Sequence, residues 1–222
     1  MSASEPRLCY ITDRQAMEPR SFGPLIRMAV DAGVDMVQIR EKDLPTSAIL
    51  ELVASFLRVT RGTATRVVVN DRLDVALAAS AGGVHLGGQS MPVDKVRAAL
   101  GPGGAQSFWL GVSCHSVSEV GAAEAAGASY VLLGPIFDTP SKRIYGPPLG
   151  LEVLAQAARN CRIPLLALGG ITLERVRPCI EAGAAGIAGI SIFQRPDASL
   201  QSLKDLRREI DEANNLVLDT AW

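Results

Sequence analysis

Short runs of consecutive apolar residues recur along the chain, and most of them end in polar residues or glycine. Eight of these runs are predicted to be β-strands, because they are largely apolar and too short for helices. Strands without polar alternation are typical of parallel sheets, in which both faces are buried. The predicted strands are Leu8–Thr12, Met36–Arg40, Arg66–Asn70, Gly83–Gly87, Trp109–Cys114, Tyr130–Gly134, Pro164–Leu168 and Gly186–Ser191.

Segments with helical spacing or helix-start signals follow the strands. Thr46 is the expected N-cap of the second helix, and Ser116 has capping-box spacing to Glu119. The residues 214–222 remain unassigned. The predicted helices are Pro24–Ala32, a helix from Thr46, one opened by residues 71–74, Pro92–Gly101, Ser116–Ala126, one after Pro147-Pro148, Leu173–Ala182 and Ser199–Ala213.

Eight strand-then-helix units within 222 residues predict one α/β domain, a (β/α)8 TIM barrel with a parallel eight-stranded core, spanning residues 1–222. A doubly wound sheet is the alternative. The barrel is favoured because no first turn carries GxGxxG, and because polar residues end nearly every strand. In a doubly wound sheet such residues would concentrate at one switch point.

Composition narrows the class of protein further. A net charge of −1, with 20% charged residues, gives no indication of nucleic-acid or membrane binding. No apolar stretch approaches the roughly 20 residues of a membrane span, and the first residues lack a secretory-signal layout. The four cysteines show neither CxxC nor Cys/His zinc spacing, so we expect buried free thiols in a reducing cytoplasm.

The carboxyl-end rim of the predicted barrel combines cationic, hydroxyl and amide side chains. Arg40 and Lys42 alternate, so they share a face if the strand extends that far, and both suit phosphate oxygens. The loop after strand six adds hydroxyl and ammonium donors, although an ordinary surface turn is the alternative. The rim residues are Thr12, Gln38, Arg40, Lys42, Asn70, Asp71, His85, Ser113, His115, Thr139, Ser141, Lys142, Gly169, Gly170 and Ser191.

Two further sites are predicted on the same rim. Gly169-Gly170 after strand seven and Gly189–Ser191 at the end of strand eight indicate a second phosphate site, as in many such barrels. Asp71 could bind Mg²⁺ together with substrate phosphate. It could also cap the third helix, and the two roles are not exclusive. After strand four no acidic residue occurs before Asp94, so the metal prediction depends on Asp71 alone.

The two histidines do not indicate covalent catalysis. His85 lies inside an apolar strand and is expected to be a hydrogen-bonded core residue. Ser113 and His115 would share a face without necessarily meeting. No GxSxG elbow or third triad member accompanies them.

Together these stretches resemble the thiamine-phosphate synthase family and the related thiazole tautomerases. The similarity extends over about residues 7–210, and six motifs occur in the family's order. The motifs are Val37–Asp43, Val69–Leu77, Gly83–Gly87, Leu110–Ser116, Gly134–Lys142 and Leu168–Ile171.

The resemblance implies a transferase that joins hydroxymethylpyrimidine diphosphate to thiazole phosphate, or its carboxylate, and releases pyrophosphate. It implies Mg²⁺ on Asp71 as cofactor and small phosphorylated substrates as partners, and leaves assembly into a homo-oligomer open. It assigns catalysis to Arg40, Lys42, Ser113 and Lys142. It assigns the diphosphate to Arg40, Lys42 and Lys142, with Asn70 beside them. It assigns the pyrimidine to Gln38 and Ser113. It assigns the thiazole phosphate side to Thr139, Ser141, Gly170, Ile190 and Ser191.

Two positions depart from the family patterns. Ser90 stands where synthases usually carry a second Mg²⁺-binding Asp, so it would be a neutral and weaker ligand. Pro135 stands where the tautomerases place a catalytic His, and proline cannot transfer protons. The synthase is therefore favoured. A tautomerase-like isomerase of thiazole phosphate carboxylate and a non-catalytic binder of thiamine precursors are the alternatives.

Overall fold

The computed structural model describes residues 6–17, 21–104, 107–139 and 147–220. Eight parallel strands form a closed barrel in which each strand pairs with its neighbours in chain order, and β1 pairs with β8. The predicted (β/α)8 architecture is confirmed. The strands are β1 (Leu8–Ile11), β2 (Met36–Ile39), β3 (Arg66–Asn70), β4 (Gly83–Leu86), β5 (Trp109–Cys114), β6 (Tyr130–Leu133), β7 (Leu165–Leu168) and β8 (Gly186–Gly189).

Helices follow the strands around the barrel. In the described residues, none of them combines the length and apolar character that a membrane span requires. They are α1 (Phe22–Asp31), α2 (Thr46–Thr60), α3 (Leu73–Ala78), α4 (Val93–Gly104), α5 (Val117–Ala125), α6 (Gly150–Arg159), α7 (Leu173–Glu181), α8 (Ser191–Gln194) and α9 (Leu200–Thr220).

Several helix boundaries differ from the predictions. The N-cap of α2 is Pro45, and Thr46 is the first helical residue. α9 continues to Thr220, seven residues past the predicted end at Ala213, and so includes much of the unassigned tail. The N-cap prediction for α5 is confirmed, because Ser116 Oγ accepts a hydrogen bond from the Glu119 backbone N–H at 3.2 Å.

Strand alternation divides the core into two layers. One set of side chains packs between the strands and the helices, and the other fills the barrel interior. All four cysteines are free thiols, as predicted, but Cys161 is only half-buried because it lies in the loop between α6 and β7. The buried apolar residues of the interior are Cys9, Ile11, Met36, Val68, Tyr130, Leu132, Leu166 and Ala188.

At the opposite end from the rim, a charged network closes the barrel. Asp35, before β2, accepts backbone hydrogen bonds from Arg7 at 3.0 Å and Leu8 at 2.8 Å. The Arg207 guanidinium of α9 donates to both Asp35 carboxylate oxygens at 2.9 Å and to the Gly33 carbonyl at 2.9 Å. This network joins the C-terminal helix to the first two strands.

Candidate active site

A hydrogen-bonded chain of side chains crosses the carboxyl ends of β2 and β3. Gln38 donates through Nε2 to Asn70 Oδ1 at 2.9 Å, and Asn70 donates through Nδ2 to Asp71 Oδ2 at 2.7 Å. The Gln38 side chain is buried, and its Oε1 has no hydrogen-bond partner in the described structure. A buried acceptor without a partner is costly, so this oxygen is a candidate to accept a hydrogen bond from a bound ligand.

Asp71 adopts a left-handed backbone conformation at the end of β3. Its φ is +61°, and the Arg72 N–H returns to the Asn70 carbonyl at 2.8 Å, which closes a three-residue turn around it. The prediction that Asp71 caps α3 is wrong, since the N-cap position is occupied by Arg72. A non-glycine residue with this φ is strained, and such strain is concentrated at functional sites.

Ser90 meets the same carboxylate from the loop after β4. Its Oγ donates to Asp71 Oδ1, and the Gly87 N–H lies 2.7 Å from Ser90 Oγ and 3.2 Å from Asp71 Oδ1. In the described residues, no three His, Cys, Asp or Glu side chains converge as metal ligands. Mg²⁺, however, commonly binds through one or two carboxylates plus substrate phosphates and waters. Asp71, with the Ser90 hydroxyl beside it, fits that mode.

Arg40 and Lys42 follow β2 as two cationic side chains in the loop before α2. In the described structure, neither forms a side-chain hydrogen bond or ion pair. β2 ends at Ile39, so the condition for sharing a strand face is not met; the loop places these residues instead. Lys42 borders a cavity of about 270 Å³ together with Asn70 and Asp71.

The loop that carries Arg40 is held by a buried carboxylate that the sequence analysis did not single out. Glu41 accepts a hydrogen bond from Thr12 Oγ1 at 2.6 Å and from the Arg14 N–H at 3.1 Å. Thr12 Oγ1 also accepts the Arg40 N–H at 2.9 Å. Burial raises the pKa of Glu41, and the hydrogen bonds from Thr12 and Arg14 oppose that rise. Glu41 lies within the charged strand end, but only the barrel register brings it to Thr12.

His85 on β4 and Ser113 on the adjacent strand β5 are hydrogen-bonded to each other. His85 is fully buried, with Nε2 2.8 Å from Ser113 Oγ and Nδ1 3.1 Å from Tyr130 Oη. Burial lowers the pKa of His85 to about 3. The negative charge of Asp71 raises this pKa, and the positive charge of Arg40 lowers it further. The predicted satisfied core histidine is confirmed. His115 instead places Nδ1 2.6 Å from the Gly134 carbonyl oxygen, away from Ser113.

The loops after β7 and β8 contain the residues of the predicted second phosphate site. Gly169 and Gly170 adopt φ values of +95° and +66°. A Cβ on Gly170 would lie 2.7 Å from the Asp138 carbonyl oxygen, so the close approach of these loops requires glycine. Ile190 is the N-cap of the short helix α8, and Ser191 is its exposed first residue.

Arg175 is a neighbour of this site that the sequence analysis missed. Its Nη1 donates to the Gly170 carbonyl at 2.6 Å, and its guanidinium lies 4.6 Å from the centroid of the Phe137 ring. It therefore links the loops after β6 and β7. An arginine in the first turn of α7 was the available sequence signal. Thr139 is the last described residue before the gap, and the predicted site residues Ser141 and Lys142 lie outside the described residues.

The described residues form a closed (β/α)8 barrel whose rim carries cations without partners among them, glycine loops and a carboxylate. Such a rim is typical of an enzyme acting on phosphorylated substrates. A family profile described as thiamine monophosphate synthase matches residues 8–193 of the chain. The chain therefore belongs to the thiamine monophosphate synthase family.

Individual relatives agree with this assignment. The thiamine-phosphate synthase of Roseiflexus castenholzii is 40% identical over 199 residues, covering 88% of this chain and 86% of the relative. The thiamine-phosphate synthase of Methanoculleus marisnigri is 41% identical over 201 residues, covering 89% of this chain and 93% of the relative. A solved thiamine phosphate pyrophosphorylase from Pyrococcus furiosus superposes with a TM-score of 0.81 at 32% identity, covering 93% of this chain and 96% of that one. These relationships favour the synthase over both alternatives considered from the sequence.

Proposed function

We propose that the chain condenses hydroxymethylpyrimidine diphosphate with thiazole phosphate, or its carboxylate, to give thiamine phosphate and pyrophosphate. The observation that carries this proposal is the pair Arg40 and Lys42. Within the described structure they are unpaired cations, and Lys42 lines a cavity beside the Asp71 carboxylate. Charges without internal partners at the mouth of a barrel of this family are suited to a diphosphate.

The departing diphosphate is the group whose charge must be stabilised. As its C–O bond to the pyrimidine methylene breaks, negative charge develops on the leaving oxygens, and Arg40 and Lys42 are proposed to stabilise it. Lys142 is proposed to join them from the loop after β6. The electron-rich pyrimidine carries the resulting cation until the thiazole nitrogen captures it. This course requires no strong base, in accord with the neutral, buried His85.

The remaining rim residues are proposed to orient the two substrates. Gln38 Oε1, the buried acceptor without a partner, would accept a hydrogen bond from the amino group of the pyrimidine. Ser113 would contact the same ring. The glycine loop after β7 and the start of α8 would hold the thiazole phosphate. The members of that second group are Thr139, Ser141, Gly170, Ile190 and Ser191.

Asp71 is the proposed protein ligand of Mg²⁺, with Ser90 as a neutral neighbour and Asn70 orienting the carboxylate. When bound, Mg²⁺ would supply charge stabilisation of the diphosphate oxygens. We also propose that the enzyme acts in the cytoplasm, since all four of its cysteines are free thiols.

The test is a direct assay of the full chain with both phosphorylated substrates and Mg²⁺, following thiamine phosphate. Lys42→Met is expected to lower kcat/KM for the pyrimidine diphosphate about 10- to 100-fold, the size expected when one charge-assisted hydrogen bond is lost. Lys204→Met removes an exposed lysine from α9 and serves as the matched control, with wild-type kinetics expected. Absence of thiamine phosphate at saturating Mg²⁺ would contradict the proposal.

A further inference from the structure

A chain of three polar side chains extends from the barrel interior to the rim. Tyr130 is fully buried on β6, His85 is buried on β4, and Ser113 is partly exposed on β5. In the described structure, Tyr130 Oη has one hydrogen-bond partner, His85 Nδ1 at 3.1 Å. Ser113 Oγ likewise has one, His85 Nε2 at 2.8 Å. The chain therefore leads from a buried hydroxyl, through the imidazole, to a hydroxyl in the candidate site.

Hydrogen-bond accounting determines the direction of this chain. A buried tyrosine proton needs an acceptor, and burial raises the pKa of Tyr130 well above its ordinary value, so the proton stays on. The available acceptor is His85 Nδ1, which must then be unprotonated. With Nδ1 accepting from Tyr130, the ring proton is on Nε2 and is donated to Ser113 Oγ, which lies 2.8 Å away. The opposite tautomer would leave the Tyr130 proton without a partner.

Packing around the imidazole supports the same arrangement. Gly111 lies beside Tyr130 and His85 in the barrel register. A Cβ at Gly111 would lie 2.1 Å from Tyr130 Cζ and 2.4 Å from His85 Nδ1. The space that a side chain at residue 111 would occupy is thus taken up by the Tyr130–His85 contact. The hydrogen-bonded pair is part of the interior packing and is not a loose surface contact.

We propose that Tyr130 and His85 are positioning residues that present the Ser113 hydroxyl to the substrate as a hydrogen-bond donor. The imidazole N–H occupies a lone pair of Ser113 Oγ, so the serine proton points to an acceptor in the site. On the proposed function, on which this part rests, that acceptor is a ring nitrogen of the pyrimidine. A donor oriented before binding requires no reorganisation when the substrate arrives.

The tautomer of His85 tests the proposal without requiring turnover. The full chain is labelled with ¹⁵N-histidine, and the ring nitrogens are assigned by long-range ¹H–¹⁵N correlation. The chain has 2 histidines, so His115→Asn identifies the His85 signals. We expect a neutral ring with the proton on Nε2 at neutral pH. A proton on Nδ1, or a charged ring, would overturn the proposal even if the chain proves to be a synthase.

A double-mutant cycle tests whether Tyr130 acts through Ser113. Ser113→Ala and Tyr130→Phe are each expected to lower kcat/KM for the pyrimidine diphosphate, by about tenfold for a neutral hydrogen bond, with KM for thiazole phosphate unchanged. The double variant should be no worse than Ser113→Ala alone. Additive losses would mean that Tyr130 has only a structural role, which would refute the proposal.

A matched control separates the effect of the Tyr130–His85–Ser113 hydrogen bonds from the general effect of removing a buried hydroxyl. Tyr10 is also fully buried, but its Oη lies near Met17 Sδ, at 3.8 Å, in the layer between strands and helices. Tyr10→Phe should retain wild-type kcat/KM and the same His85 tautomer. If the wild-type protein gives no thiamine phosphate, the proposed function fails. The His85 tautomer found by nuclear magnetic resonance still tests the positioning role of Tyr130 and His85.

Discussion

Replacing Ser90 by Asp should change the candidate metal site from one carboxylate to two. Ser90 Oγ is hydrogen-bonded to Asp71 Oδ1, so a carboxylate at residue 90 would lie beside that of Asp71. Two carboxylates about 4 Å apart repel each other by about 1 kcal/mol in water. The attraction between a divalent ion and the added carboxylate at the same distance is about 2 kcal/mol, which adds to the free energy of Mg²⁺ binding. We therefore expect Mg²⁺ to bind roughly thirtyfold more tightly in the variant.

The measurement is calorimetric titration of Mg²⁺ into wild type and Ser90→Asp, each with pyrophosphate present. Ser90→Asn adds the same bulk without charge and serves as the matched control. Without Mg²⁺ the Asp variant should melt a few degrees lower than the Asn variant, about what 1 kcal/mol gives for a chain of this size. Mg²⁺ should reverse that difference. The reasoning is refuted if the Asp variant binds Mg²⁺ no more tightly, or if Asn produces the same gain.

Two further predictions concern stability. Arg207→Ala should lower the thermal midpoint by about 4–12 °C, since about 2–3 kcal/mol is lost when the hydrogen bonds from Arg207 Nη1 to the Asp35 carboxylate are removed. Arg208→Ala, whose side chain is 64% exposed, should shift the midpoint far less. The pKa of His85 is lowered from 6.5 to about 3 on folding, so below pH 6.5 the unfolded chain binds a proton that the folded chain does not. The free energy of unfolding should therefore fall by about 2 kcal/mol between pH 7 and pH 5 because of this group. Urea unfolding at the two pH values should show that part of the fall in the wild type and not in His85→Asn. An equal pH dependence in the wild type and the variant would contradict this prediction.

Much of the fold follows from local pattern. Each strand was predicted within one or two residues, because a short apolar run between glycines and polar residues has few other solutions. Errors arose at element ends. β2 stops at Ile39, since Glu41 turns into the protein to meet Thr12. α9 continues to Thr220, past the point where its amphipathic pattern was clear.

The candidate site, like the fold, was predicted in part. Their positions at or just after the predicted strand ends predicted that Arg40, Asp71 and Ser113 would lie on one rim, and the closed barrel brings those strand ends together. The sequence did not indicate the role of Glu41, nor that Arg175 supports the loop after β7. These residues act through contacts with distant segments, and no local pattern encodes such contacts.

By itself, the sequence determined the alternation of strands and helices, the class of fold and the chemical character of the rim. Those features depend on the spacing of apolar residues and on which polar types end each strand. The tertiary structure decided which polar groups meet. Gln38 reaches Asn70 across 32 residues, and His85 reaches Tyr130 across 45. Such pairs are set by the register of neighbouring strands, because a shift of one residue would turn each side chain to the other face of the barrel.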